Sequence, residues 1–398
     1  MGNSSNGWLG LLPQVETAIV DRGLAVPGWR SGGDERRRFE DGLARLLAES
    51  GWVTDDARIV EAAGVLSRAS TGLGVLQELA SRPGVEEVIV RNGRVQVERN
   101  GVVEDVGEIA EDAYFERLAR RVADLGGRAM KADRPFVLVD LPDGSRFTAM
   151  IPPLSVEGTA INVRVFREEA MSLDALAEMG AFTPPDEGDG QDRAFDDLGG
   201  DLPEVAQFLA RTARDNAATV LISGEFSSGK TTLLNALTAY VPGTTQMAVV
   251  ETFRELQVRH PTAARAVVPT PPREHFPSLD EVVNVLYTRM RPDLIVFGEV
   301  VGDEAVELLS AMNLGKKVVT TIHANSAYDA LLRLETLALA SGMPLEAIRE
   351  RVGRGVDLVV HLKREGAQRY VSEVARVEGT QDGRYRMEHL YGEERSLP

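Results

Sequence analysis

The stretch LISGEFSSGKTTLLNALTAYVP, residues 221–242, decides how the rest of the chain is read. Gly224, Gly229, Lys230 and Thr231 stand at the spacing G-x-x-x-x-G-K-[ST] of a phosphate-binding loop. The β-branched run ATVLIS before it reads as a strand, and TTLLNALTAYV after it as a helix, which is the context the motif requires. Backbone N–H groups of Ser227, Ser228, Gly229 and the first helical turn through Thr232 would then wrap the phosphates of ATP. Lys230 would reach the β and γ phosphates, and Thr231 would ligate Mg²⁺.

Downstream of the loop, short apolar runs alternate with helical patterns: MAVVET, LDEVVNVLYTRM, DLIVFGEV, EAVELLSAM and KVVTTIHA. That alternation predicts an α/β domain with a buried, mainly parallel sheet. Three of its strands end in polar residues. DLIVFGE ends in Glu299, placed to hold the metal's water shell or polarise an attacking water. MAVVE ends in Glu251, with Glu255 expected one helical turn on, and TTIH ends in His323. One acid or histidine after an apolar run is ordinarily a solvated or hydrogen-bonded strand end. Three such ends beside a phosphate loop point to a ligand site at the carboxyl edge of the sheet.

Upstream, the texture differs. Residues 1–70 mix charges of both signs with helical spacing, as in FEDGLARLLAES, and read as a helical appendage. Residues 71–167 read as an α+β domain: GVEEVIVRNGRVQVERNGVVEDV alternates with hairpin signals at Asn92-Gly93 and Asn100-Gly101. A helix over YFERLARRVADLGG follows, then strands in PFVLVDLPDGSRFTAMI and TAINVRVF that turn at Asp143-Gly144. Residues 168–200 are acidic and rich in Pro and Gly in their middle, and read as a linker.

The chain has 398 residues, 43% hydrophobic and 26% charged, enough for two or three globular domains. A net charge of -17 disfavours direct nucleic-acid binding, which needs a cationic footprint. The absence of cysteine excludes disulfides and cysteine-ligated zinc, and fits a reducing cytosol. No run approaches the roughly 18 apolar residues of a membrane span, and the start MGNSSNGWLGLLPQ lacks a signal-peptide pattern. A cytoplasmic location is expected, with any attachment to the inner face of the cell membrane made through partners.

With these motifs in hand, the chain resembles the hexameric ATPases of type II and type IV secretion systems. Within them it is most similar to the CpaF/TadA branch, which drives assembly of tight-adherence (Flp) pili. The resemblance rests on DGSRFTAMIPP, INVRVF, GEFSSGKTTLLNAL, VVETFREL, TRMRPDLIVFGEV, LLSAMN and TTIHANSAYDALLRLE. It implies a PAS-like N-terminal domain joined by the linker to a RecA-like ATPase domain over 201–398. It also implies a homo-hexamer, nucleotide at the cleft between the two domains, and inner-membrane platform proteins as partners, with pilin or secreted substrate engaged indirectly. By the same resemblance Lys230 and Thr231 are Walker A, Glu299 Walker B, Glu251 the Asp-box acid and His323 the γ-phosphate sensor. Arg146 and Arg164 match the arginines that the first domain points at the phosphates, and Arg289 and Arg291 match the RMRPD pair.

The chain departs from the family pattern around the site. Residues 225–227 read Glu-Phe-Ser in place of Gly-Thr-Gly, Thr252 replaces an aspartate, and Val301 an arginine. The loop before TTIHA is one residue short and lacks a second histidine. Ser227 would have to accept a conformation that glycine normally fills, and Glu225 would place a like charge near the phosphates. These changes spare Lys230, Thr231, Glu251, Glu299 and His323, so a slow Mg²⁺-dependent ATPase is expected. Two alternatives stand beside the pilus or export motor: the traffic ATPase of a conjugation or effector-secretion apparatus, and a degenerate ring subunit that binds nucleotide with little turnover.

Overall fold

The computed structural model describes residues 5–28, 31–99, 101–166, 170–183, 203–268 and 276–392. The chain forms two compact units, Met1–Phe166 and Arg167–Pro398. The acidic run within 184–200 and the Asn100 half of the second Asn-Gly pair lie outside the described residues.

The first unit opens with helices α1 (Ser5–Leu9), α2 (Leu12–Asp21), α3 (Gly33–Ser50), α4 (Asp56–Ser70) and α5 (Leu76–Ala80). Asp55 caps α4 by accepting from the Arg58 N–H at 3.0 Å, one of the donors a helix start leaves open. Three strands follow, β1 (Val85–Arg91), β2 (Arg94–Arg99) and β3 (Val102–Glu108), then α6 (Asp112–Leu125) and strands β4 (Phe136–Asp140), β5 (Arg146–Met150) and β6 (Ala160–Arg164). They make one antiparallel sheet in the order β3-β2-β1-β6-β5-β4. Asn92 (φ 47°) and Gly93 (φ 77°) turn β1 into β2, the two consecutive positive φ values that a tight hairpin needs.

Alternate residues of these strands, among them Val88, Val97, Phe147 and Ile161, join one core with Phe115 and Leu118 of α6. Leu12, Leu43 and Leu66 belong to that same core, so the helices of residues 5–70 are built into the first unit. Each such side chain stabilises the fold by about 2 kcal/mol when fully buried. Tyr114 ties the parts together: its hydroxyl accepts from Val75 N–H at 3.0 Å and donates to Ala69 C=O at 3.2 Å.

In the second unit α7 (Leu173–Glu178) and α8 (Glu204–Arg214) lead into strand β7 (Val220–Gly224) and α9 (Lys230–Thr238). Then come β8 (Met247–Glu251), β9 (Ala264–Val267), α10 (Leu279–Val285) with a π-helical turn over Leu286–Met290, β10 (Leu294–Phe297), α11 (Glu304–Asn313) and β11 (Lys317–His323). Helices α12 (Ala327–Ala338) and α13 (Leu345–Gly355) precede β12 (Leu358–Glu365), β13 (Gln368–Gln381) and β14 (Arg384–Tyr391). Across the sheet the order is β9-β8-β10-β11-β7-β12-β13-β14. Numbered by their place in this unit, the strands read 3-2-4-5-1-6-7-8, with the first six parallel and β13 antiparallel to β12 and β14. This is a RecA-like sheet.

β7, β8 and β10 are buried on both faces, which explains why they read as unbroken apolar runs. Leu221, Val250 and Phe297 face α11 and α12 through Leu308 and Leu331, while Ile222, Val249 and Val296 face α8 and α9 through Leu209 and Leu234. Leu173, Leu176 and Phe182 join this second core. The stretch read from sequence as the start of a linker therefore packs into the second unit as far as Phe182. Its apolar spacing outweighs the acidic run that follows. Among the described residues no helix is long and apolar enough to cross a membrane.

Candidate functional site

β7 lies between β11 and β12, so the loop that leaves its carboxyl end emerges among strand ends from both sides. The register places His323 of β11 and Leu362 of β12 opposite Gly224. Gly224 has φ 151°, and a Cβ there would stand 2.4 Å from the Leu362 carbonyl oxygen and 2.6 Å from Ser228 Oγ. No other residue fits. Gly229 (φ 94°) ends the loop just before Lys230 opens α9. Between them Ser227 takes φ 56°, the left-handed region, at a strain of about 1 kcal/mol for a non-glycine residue. The glycine usual at this position is thus demanded by the backbone, and this chain tolerates serine at a cost.

Lys230 is only 6% exposed. Its ammonium donates to the carbonyls of Gly224 at 3.0 Å and Glu225 at 2.6 Å and to Nδ1 of His323 at 3.2 Å. An ammonium has three protons and cannot accept, so His323 Nδ1 is the acceptor and the ring's proton sits on Nε2. That Nε2 meets Glu299 Oε1 at 2.8 Å. Lysine, imidazole and carboxylate thus stand in a row from the loop, past the end of β11, to the segment just beyond β10. Burial holds the His323 pKa below its ordinary value, with the Lys230 charge the next influence, the Gly224 backbone opposing, and Arg333 of α12 adding to the lowering. Neutral imidazole matches the tautomer that the Lys230 hydrogen bond requires.

Glu299 owes its place to Thr321. Val300 N–H donates to the Thr321 carbonyl at 2.9 Å, and Thr321 Oγ1 donates to the Gly298 carbonyl at 2.7 Å, which grips the chain on both sides of the acid. Thr231 and Thr232 lie half-buried in the first turn of α9. Ser228 Oγ is fully buried and, among the described residues, has no hydrogen-bond partner. A buried hydroxyl without a partner is destabilising, and an anion in the loop would satisfy it. The loop therefore fits phosphate. For Mg²⁺ the available oxygens are the Thr231 hydroxyl and the Glu299 carboxylate, and no group of three or more His, Cys, Asp or Glu able to hold a metal occurs among the described residues. Mg²⁺ ordinarily binds through one or two protein oxygens with phosphates and water, so the donor set suits it.

Glu251 stands apart from the row. It is 2% exposed, and its Oε2 accepts from Glu255 N–H at 2.9 Å and Leu256 N–H at 2.8 Å while Oε1 meets Arg265 at 3.3 Å. Burial pushes its pKa up against those backbone donors and Arg265. Residues 255–260 are not helical, which corrects the expectation that Glu255 sits one helical turn on: the Glu251 carboxylate captures the backbone N–H groups and folds the segment as a loop.

The remaining expected residues are not brought to the loop within the second unit. Arg289 lies in the π-helical turn and Arg291, exposed with φ 51°, just before β10, so both sit at the amino end of a strand whose carboxyl end leads to Glu299. Arg146 and Arg164 belong to the first unit, where they face each other across β5 and β6, with Glu87 of β1 opposite Arg164. Sequence spacing missed two neighbours of the site and one contact of a loop residue it had singled out. Arg369 of β13 packs its stem near Gly229, with Cδ 3.8 Å from a Cβ built there, Arg333 of α12 adds its charge near His323, and Phe226 of the loop touches the His323 ring. Only the tertiary fold makes these contacts, and no spacing rule reports that.

Residues 70–383 match the model of the type II/IV secretion system protein family. A Mycobacterium tuberculosis protein provisionally assigned to conjugal transfer is 31% identical over 334 residues, covering 80% of this chain and 88% of its own. The conjugal transfer protein TrbB of Rhizobium radiobacter is 30% identical, covering 77% and 87%. Among solved structures, the VirB11 ATPase of the Brucella suis type IV secretion system, in complex with sulphate, is 24% identical with a TM-score of 0.39, covering 75% of this chain and 94% of that one. On the extent of the family match and of these relatives, the chain belongs to the type II/IV secretion system proteins.

Proposed function

We propose that the chain is an ATP-hydrolysing motor of a type II/IV secretion or pilus apparatus. The observation that carries this reading is the row Lys230–His323–Glu299, which runs from the phosphate loop across the end of β11 to an acid just beyond β10. Lys230 and the backbone N–H groups of the loop would bind the β and γ phosphates, and Ser228 would gain the partner it lacks. Thr231 and Glu299 would hold Mg²⁺, which supplies charge neutralisation at the phosphates when bound. Glu299 would orient the attacking water. His323, hydrogen-bonded to Lys230 and with Nε2 2.8 Å from Glu299 Oε1, would register whether the γ-phosphate is present. All three ammonium protons of Lys230 are engaged, so phosphate binding must displace at least one bond and thereby change how His323 is held. Glu251 would act by fixing the 255–256 loop.

The family resemblance supports a homo-hexamer, a cytoplasmic position against membrane platform proteins, and arginines Arg146 and Arg164 supplied to the phosphates from the first unit. Arg289 and Arg291, at the other end of β10, would serve a neighbouring subunit or an interface. Pilus assembly of the CpaF/TadA kind is the proposed output. The names of the relatives, TrbB above all, favour a second reading, the traffic ATPase of a conjugation or secretion channel. Both share one chemistry. The test is steady-state phosphate release with Mg²⁺ and ATP, with mass in solution measured alongside. Turnover lost in Lys230→Ala and Glu299→Gln supports a motor, whereas a folded wild-type assembly without turnover makes this a nucleotide-binding or scaffolding subunit.

A further inference from the structure

Phe226, one of the loop residues that departs from the family pattern, is 81% exposed. Its ring nevertheless rests on His323, with centroids 3.9 Å apart and planes inclined by 33°. Lys230 bonds the imidazole at Nδ1, and Glu299 Oε1 lies 2.8 Å from Nε2. Contacts at those two atoms alone leave the ring free to rock about the line joining them. A second ring against its face removes that freedom, and aromatic pairs at this separation attract.

We propose that Phe226 is a positioning residue for His323: by stacking on the imidazole it fixes the ring plane in which Lys230 and Glu299 are bridged. This rests on the ATPase reading for its consequence but not for its geometry. The phenyl ring is largely in water, so replacing it removes little buried surface and leaves the fold intact. The contact is with the residue that stands between Lys230 of the loop and Glu299. A threonine or glycine in its place has no ring to offer, which sets this chain apart from the usual loop sequence.

The test uses the full chain with histidine labelled at Cε1, compared at one fixed pH without nucleotide, and the His323 signal identified by its loss in His323→Gln. In Phe226→Ala the His323 signal should lose the upfield displacement that a stacked ring causes, and Phe226→Tyr should restore it. With ATP and Mg²⁺, Phe226→Ala should lower kcat on the order of tenfold with KM within about twofold, again rescued by Phe226→Tyr, since a small misplacement of a reacting group reduces rate more than binding. A His323 signal unmoved in Phe226→Ala, an unchanged or raised kcat, or no rescue by tyrosine overturns the proposal. A wild-type chain without turnover defeats the ATPase reading instead. The histidine signal then decides by itself: unmoved it overturns the stacking role, moved and rescued it upholds it.

Discussion

At the amino end of the eight-stranded sheet, Asp357 accepts from Lys317 Nζ at 2.8 Å and from Thr219 N–H at 2.6 Å, and Asp293 accepts from Gln246 N–H at 2.9 Å. Those acids lock the entries of neighbouring strands. At the carboxyl end the polar groups meet chiefly one another and loop carbonyls: Lys230 bonds Gly224, Glu225 and His323, and His323 lies 2.8 Å from Glu299, while among the described residues the Ser228 hydroxyl has no partner. Both ends are rich in charge. What separates them is what the acids hold: two of the three amino-end bonds take backbone N–H groups, whereas the carboxyl-end side chains converge on the phosphate loop. By that criterion Glu251 belongs with the amino-end acids although it stands at the carboxyl end, because it holds two backbone N–H groups.

The contrast can be broken at several points. The largest effect is expected for Lys230→Ala, which should reduce phosphate release on the order of a thousandfold, about 4 kcal/mol at 1.36 kcal/mol per decade. Glu251→Ala should cost about 3 kcal/mol of stability in a denaturant titration, since it strands buried donors and Arg265. A Glu251→Ala chain as stable as the wild type but without turnover would give Glu251 the catalytic role that the resemblance implies. Glu299→Gln should behave oppositely, with turnover down on the order of a hundredfold, ATP still bound, and a melting curve close to wild type. Asp357→Ala should lose about 1 kcal/mol of stability, given its half-exposed side chain, with turnover unchanged. The smallest effect is expected for Glu225→Gly, which removes a like charge beside the phosphates and should tighten ATP binding about threefold by calorimetry. Unchanged or weaker affinity would show that Glu225 does not burden the loop.

Read from sequence, the phosphate loop, the strand–helix alternation of the second unit and the hairpins of the first needed only local rules. The G-x-x-x-x-G-K-[ST] spacing, the period-2 strands and the Asn92-Gly93 turn each express backbone geometry within a few residues. Three readings failed to be local. The helix over Leu173–Glu178 sits in a stretch that composition marks as linker, because a few well-spaced apolar residues suffice to join a core. Glu255 was expected on a helix, and the Glu251 carboxylate redirected the backbone. Arg289 and Arg291 share a motif with Glu299, yet a strand between them carries them to opposite edges of the sheet.

The sequence by itself thus determined that a phosphate loop follows a buried strand, that acids and a histidine close the strands around it, and that residue 227 breaks a glycine rule. Tertiary structure alone decided which of these meet. The order 3-2-4-5-1-6-7-8 sets β11 beside β7 and so brings His323 against Lys230, 93 residues away along the chain. It also laid Phe226 on His323, 97 residues further along the chain. The reason is physical: hydrogen bonds along a strand and turn are fixed by neighbours in sequence, whereas the pairing of strands is fixed by which apolar faces can be buried together.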